Sequence, residues 1–487
     1  MNYTNLIKHC LVVSLLCLAT TPLTAQLPDL SYTESQTFID HGSTVVVNPQ
    51  PKDYTASAEY QIEVNGHPVF MYAQPGFANG TVNFATFDFA GPVTVKVTST
   101  WTVYSAEVHP LSSKIPCKVE GKTITFTLDK PQNIFLKMNG TFELPVYIFA
   151  NPVSNYKIDK LAKNLKYYGP GIHEVGDIEL KSGETLFLDA GAVVYGAVYA
   201  NDANNVKIIG RGIICGSHYP FQYSSDKIQR FINFKNCTNV EVEGVIILDS
   251  FSWTLVFQNC DNVKVERTRI LSERLWSTDG LNPCSSRNVT IENCFIRSKD
   301  DCISVKGLAW EPGSKWYPIN NIRVSNCLFW SENNNALVVG CESRASRIEN
   351  VRFENCDILK STNTCGDISG TLSVICLDDT FISDITFDNI RVEYNTTSPI
   401  NIFYTSLMFG NIPGSRKPDG GIMKNITFGN ISFTGSFARK SFVNGLDSKH
   451  QPENITFENV TISGKKILKA SEGNFEINTF TKNIKFQ

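Results

Sequence analysis

The chain has no block of like charge, no Cys-x-x-C pair, and only one apolar run that stands apart, a short one at its start. Its 44 Lys and Arg against 47 Asp and Glu leave a formal net charge of −3. Without a basic stripe, nucleic acid is not an expected partner. Without paired Cys-x-x-C spacing there is no zinc-ribbon signature, and no metal or cofactor is expected. The apolar run, Leu11 to Ala19, is too short to span a bilayer. Set between Lys8-His9 and Thr24-Ala25, it reads as an export signal over residues 1–25, with lipid anchoring through Cys17 as the alternative. The product is therefore expected outside the cytoplasm: periplasmic, extracellular or at the cell surface. No transmembrane segment and no partner subunit are expected, so a monomer is.

What is present is a repeated phrase: Asn, an aliphatic residue, any residue, then an apolar one. It occurs at Asn205, Asn239, Asn262, Asn288, Asn321 and Asn350, varies at Asp384, and resumes at Asn425, Asn454 and Asn483. A second Asn follows in most copies, at Asn293, Asn326, Asn355, Asn389, Asn430 and Asn459. A period of 23 to 41 residues means one supersecondary unit stacked on itself. Three short strands and their turns fill such a period, and Asn suits the turns because it tolerates left-handed backbone and can form ladders. There is no leucine framework for a leucine-rich repeat, and the copies are shorter and less uniform than propeller blades. The expectation is a right-handed parallel β-helix over residues 170–487. Cys294, Cys327 and Cys356 share one repeat position, so they are expected as an inward stack of small apolar side chains rather than as disulfides.

Residues 27–150 lack the phrase. Runs such as Ser43-Thr-Val-Val-Val and Lys122-Thr-Ile-Thr-Phe-Thr-Leu, separated by turns at Asn65-Gly66 and Asn139-Gly140, have the pattern of an antiparallel β-sandwich. Residues 151–169 read as a linker. The fold class is thus all-β, a sandwich followed by a β-helix.

A β-helix buries one row of side chains and exposes long flat faces, so chemistry belongs where polar residues of successive coils align. The strands ahead of the Asn phrases read Ser277-Thr-Asp279-Gly, Lys299-Asp300-Asp301-Cys and Asn334-Asn335-Ala, the last leading to Glu342. Asp279 and Asp300 are 21 residues apart, about one coil, and neighbouring coils are separated by roughly 4.8 Å. Carboxylates crowded in this way retain a proton near neutrality, which supplies an acid and a base together. That pair suits glycoside hydrolysis.

Here the sequence resembles the polygalacturonase-type glycoside hydrolases of family 28, whose motifs are Asn-Thr-Asp-Gly followed by Gln/Lys-Asp-Asp; Ser252-Trp253-Thr-Leu also resembles their preceding coil. The related dextranase and isopullulanase group, family 49, shares the three aspartates and adds an N-terminal β-sandwich. The resemblance implies an inverting hydrolase in which Asp300 is the general acid while Asp279 and Asp301 activate water. Two family features are replaced. Gly-His-Gly becomes Asn334-Asn335-Ala336, and Arg-Ile-Lys falls near Ser373 to Ile375. Neither replacement is cationic, which fits a neutral glucan or galactan; a dextranase-like or galactan-directed hydrolase on a neutral or sulfated polysaccharide stands as the alternative to a pectin-type substrate. Asn335, Lys299, Lys306, Glu342 and Trp276 are the candidate substrate-binding residues, with Arg344 and Arg347 as further sources of charge and Trp310, Trp316 and Trp330 as further stacking surfaces. Asp378-Asp379 reads as a turn and His450 as a loop residue. The partner expected is a polysaccharide or oligosaccharide. A calcium-dependent β-helix lyase and a non-catalytic glycan-binding solenoid are the readings from other classes.

Overall fold

The computed structural model describes residues 33–40, 42–75, 80–274, 276–309, 317–363, 369–377, 379–404, 420–436 and 439–487. The expected export segment and Trp310, Trp316 and Asp378 lie outside these residues. Among the described residues no helix is long and apolar enough to cross a membrane.

Strands dominate throughout. The N-terminal part forms two sheets, one of seven strands and one of five. Alternation puts Val93, Val95 and Val97 on one face of Val93–Ser99 and into a core shared with Phe87, Ile124, Ile134 and Ile148. Pairing is antiparallel with one exception: Thr81–Ala90 and Thr141–Pro152 run parallel, Val146 facing Asn83. The strand Thr141–Pro152 closes this region, and Leu165–Tyr168 already pairs in parallel with Thr185–Leu188 of the long sheet.

That long sheet has 30 strands wound as a parallel β-helix. Its coils present three faces. The first begins at the Asn phrase, as in Arg287–Glu292, the second follows, as in Phe295–Ser298, and the third holds Leu281–Cys284, Ile303–Val305 and Leu337–Gly340. The phrase asparagines explain the corners. Asn205, Asn239, Asn262, Asn288 and Asn321 all have φ between 54° and 59°, in the left-handed region that Asn tolerates. Their side chains also climb the coils: Asn239 Nδ2 donates to Asn205 Oδ1 at 2.9 Å, Asn262 to Asn239 at 2.7 Å, and Asn321 to Asn288 at 2.8 Å. The second row does the same, Asn355 to Asn326 at 2.7 Å and Asn389 to Asn355 at 3.1 Å.

Inside, like stacks on like. Phe353, Phe387, Phe428, Phe457 and Phe486 form a column with centroids 4.9, 4.9, 5.4 and 4.7 Å apart, a spacing set by the coil rise. Cys294, Cys327 and Cys356 form the expected buried stack, and every described cysteine is free.

The N-terminal sheets pack on the second face. Phe84, Phe135, Tyr147 and Phe149 meet Ile213, Ile246, Leu271, Phe295, Leu328 and Trp330 in one apolar cluster. Polar ties flank it: Arg211 Nε reaches Asp88 at 3.1 Å, and Arg297 Nη1 donates to Tyr147 Oη at 2.7 Å. This docking covers the second face and leaves the turn between the second and third faces free for chemistry.

Candidate active site

The three aspartates occupy that turn, where two ladders run across the coils. In the inner ladder the register pairs Leu281 with Ile303 and Ile303 with Leu337, which stacks Asp279, Asp301 and Asn335. Backbone bonds hold it: Gly280 N–H donates to Asp301 O at 2.8 Å, and Cys302 N–H to Asn335 O at 3.1 Å. All three side chains are buried. Asp301, rather than Asp300, is therefore the residue in register with Asp279.

Asp300 belongs to the outer ladder and is half-buried. Its Oδ2 accepts from the Ser277 N–H of the preceding coil at 2.7 Å, and its Oδ1 from Asn334 Nδ2 of the next at 2.6 Å. Its own Oδ1 also takes the Asp301 N–H at 3.0 Å. The carboxyl group is thus clamped from three sides yet is not fully buried.

Lys306 lies at the centre. Its Nζ is 2.7 Å from Asp279 Oδ2, 3.0 Å from Glu342 Oε2 and 3.8 Å from Asp301 Oδ2, and it sits over the Trp253 ring at 4.1 Å. Only 2 % of its side chain is exposed. Proposed from sequence as a substrate contact, Lys306 instead spends its charge inside the carboxylate cluster. Among the described residues no group of His, Cys, Asp and Glu is arranged to hold a metal ion; the cation among these carboxylates is the ammonium.

Burial pushes the Asp301 carboxyl up to about 8, Lys306 opposing the rise and Asp300 and Asp279 adding to it. Asp279 rises to about 6, again chiefly through burial, with Lys306 opposing and Asp300 and Glu342 contributing. Burial lowers the Lys306 ammonium, but Asp279, Glu342 and Asp301 outweigh it and hold the group well above its usual range. Carboxylates this close titrate as a set, so the cluster retains a proton near neutrality beside an ionised partner.

Neighbours complete the wall. Asn335 Nδ2 donates to Asp301 Oδ1 at 2.9 Å, and its Oδ1 accepts from Ser373 Oγ at 2.7 Å and the Gly370 N–H at 3.0 Å. Asn335 and Ser373 therefore brace the inner ladder. Glu342 reaches Lys306 from a turn in which Cys341 and Glu342 both have positive φ, 32° and 48°, a strained backbone of the kind that concentrates at functional sites. Lys299 is half-buried beside Asp300. Trp276 is 57 % exposed and meets Phe221 edge-on at 5.7 Å.

Other candidates lie elsewhere. Trp330 is fully buried against Phe135, Phe142 and Tyr147, because the N-terminal sheets cover the face it sits on, so it is no sugar platform. Arg347 pairs with Glu349 at 2.8 Å, Asp379 is an exposed turn residue, and His450 bonds Asp447 within its own loop at 2.9 Å. Sequence reasoning missed Arg230. It stacks over the Trp253 ring at 4.2 Å and lines a recess of about 300 Å³ together with Ser277 and Glu342. It arrives on the long connection ahead of Ile232–Lys235, where no motif marks it.

A parallel β-helix with clustered aspartates at one turn defines a class, the β-helix glycoside hydrolases. The family model described as glycosyl hydrolases family 28 matches residues 195–480, and the chain belongs to that family. It is 28% identical over 192 residues to "Probable endopolygalacturonase D" of Neosartorya fischeri, covering 39% of this chain. The chain matches only about a third (36%) of that curated relative's length. Among solved structures it is similar to Dex49A from Penicillium minioluteum, with a TM-score of 0.60, 14% identity, and 92% of this chain and 100% of that one covered. It is also similar to the family 28 exopolygalacturonase of Yersinia enterocolitica, with a TM-score of 0.52, 16% identity, and coverage of 94% and 98%. Coverage this broad takes in the N-terminal sheets, and at these identities it speaks for the fold.

Proposed function

We propose that this glycoside hydrolase is exported and cleaves α-glycosidic bonds of a pectin-type polysaccharide with inversion. Asp300 protonates the leaving oxygen, and Asp279 and Asp301 activate the attacking water. The observation that carries this reading is the pair of ladders, which sets two buried carboxylates beside one that is clamped yet only half-buried. Asp300, the one of the three that is not fully buried, is placed to serve as the general acid toward the leaving oxygen. Ionised Asp279, steadied by Lys306 and Asn282, then takes a proton from water. Export follows from the N-terminal segment, and a monomer is the simplest assembly.

Loss of this acid reduces catalysis by about 10²–10⁴-fold. Asp300→Asn is expected to lose reducing-end release from polygalacturonate to that degree while its thermal transition stays near wild type. Full activity would sink the assignment, and proton NMR showing retention in the first-formed anomer would reverse the roles of the carboxylates.

A second reading is supported by the two family positions that lack cations. Asn335, Ser373 and Ile375 are all buried and uncharged, which suits a neutral polysaccharide. Parallel assays on dextran, pullulan, algal galactans and rhamnogalacturonan discriminate the two.

A further inference from the structure

A second polar recess lies in the seam between the N-terminal sheets and the β-helix. It opens at the leading ends of the second-face strands, where Arg269 starts Arg269–Ser272, whereas Asp300 follows the trailing end of Phe295–Ser298. Its volume is about 640 Å³, within the range of pockets that hold small ligands.

Its charge is one-sided. Lys130, Arg267, Arg269 and Arg391 line it, against the single carboxylate of Asp357. Arg391 gives Nε and Nη2 to the two oxygens of Asp357 at 2.7 and 2.8 Å, so that pair is internally neutral. Arg267 is paired outside the recess with Glu243 and Glu266. Arg269 is different. It is 2 % exposed, its Nε donates to Asn133 Oδ1 at 3.0 Å, and its Nη1 donates to the Arg267 carbonyl at 2.6 Å. Among the described residues its Nη2 donates no hydrogen bond and no carboxylate pairs with it. Burial, with Arg211 nearby, pushes this guanidinium down to about 9. Asp88 and Glu243 act on it only through space; a buried cation with no paired counter-charge is costly, and the cost falls when an oxyanion enters and meets the planar fork.

We propose that this seam is a second, non-catalytic site that takes the carboxylate of an acidic oligosaccharide on Arg269, with Lys130 at its rim. The choice of a uronate rests on the pectin-type reading of the cleft; the oxyanion chemistry rests on Arg269. Such a site holds a polyanionic chain at the other end of the second-face strands from the catalytic turn, without touching the reacting bond.

Calorimetric titration of full-length Asp300→Asn with trigalacturonate tests it. Two classes of site are expected. Adding Arg269→Gln removes one of them, and adding Lys130→Ala weakens that one by about threefold to tenfold, while each substitution made in the active enzyme leaves turnover of a short substrate unchanged. Lys130 is at the exposed rim, so its variant reports on the site even where Arg269→Gln unfolds. Sodium sulfate competing for the Arg269-dependent class, with sodium chloride at equal ionic strength inert, identifies the oxyanion. A single class insensitive to both substitutions overturns the proposal. So does Arg269-dependent binding of sulfate without binding of trigalacturonate, which makes the ligand a free oxyanion. Arg269-dependent binding that persists when the cleft neither binds nor cleaves polygalacturonate leaves the seam site standing and overturns the pectin-type reading alone.

Discussion

Lys306 Nζ lies 2.7 Å from Asp279 Oδ2, both side chains almost fully buried, and this ion pair opposes the rise that burial imposes on the carboxyl. Four carboxylates, Asp279, Asp300, Asp301 and Glu342, act on or around a single ammonium. Removing the ammonium leaves the buried carboxylates with neutral hydrogen-bond donors but no cation to offset their repulsion. Lys306→Met is therefore expected to lose about 3–5 kcal/mol of stability, the usual cost of orphaning a buried charge. In the fraction that folds, Asp279 and Asp301 titrate higher still, so the acidic limb of the kcat/KM–pH profile moves to higher pH. Thermal unfolding and a pH–rate profile measure both effects. An unchanged acidic limb would separate Lys306 from the chemistry.

The raised carboxyls make a stability prediction of opposite sign to the usual acid denaturation. With Asp279 near 6 and Asp301 near 8, the folded chain holds protons that the unfolded chain, at about 4, has released. Stability therefore declines as pH rises through the window from about 4 to about 8. Asp301→Asn removes this penalty. Relative to wild type, its melting temperature is expected to gain more at pH 8 than at pH 4, while hydrolysis is lost. Equal shifts at both pH values would contradict the cause assigned to Asp301. A variant both inactive and more stable is what a strained functional site produces.

Much of this arrangement was legible in the sequence because the repeat is periodic. The Asn phrase encodes left-handed corners, and the corners fix the coil length that brings Asp279 to Asp301. Register was the finer point. Spacing near one coil does not distinguish Asp300 from Asp301, and only the pairing of Leu281 with Ile303 does. Charge placement was less legible. Lys306, just past the strand Ile303–Val305, reads equally well as facing solvent or cluster, and its three carboxylate partners come from three coils. Trp330 was misplaced for a related reason: the repeat pattern carries no record of the sheets that cover it. Arg230 and the Arg269 seam depend on connections and on docking, where no short motif exists.

Trp276 offers a test confined to the surface. It stands exposed next to Ser277, whose N–H holds Asp300. Aromatic contacts of this kind contribute about 0.5–1.5 kcal/mol. Trp276→Ala is expected to raise KM by about threefold to tenfold with kcat little changed, and to leave the melting temperature near wild type. A fall in kcat with unchanged KM would give Trp276 a part in the transition state rather than in binding.

The last prediction concerns how the N-terminal sheets reach the catalytic turn. Tyr147 Oη accepts the Arg297 Nη1 hydrogen bond at 2.7 Å, and Arg297 is also tied to Glu332 at 2.8 Å and to Glu273 on neighbouring coils. Arg297 is three residues before Asp300, and between them Ser298 Oγ donates to the Asp300 carbonyl at 2.8 Å. A buried guanidinium that loses one acceptor keeps the full cost of its desolvation, about 1–3 kcal/mol. Tyr147→Phe keeps the ring packed against Phe295 and Trp330 and deletes only the hydroxyl. It is expected to lower stability by that amount and, by loosening the strand that leads into Asp300, to reduce kcat severalfold at unchanged KM. Phe149→Leu is the control, since it disturbs the same apolar seam without touching Arg297's hydrogen bonds. If both variants lose stability and both keep wild-type kcat, the N-terminal sheets hold the β-helix together but do not position its acid.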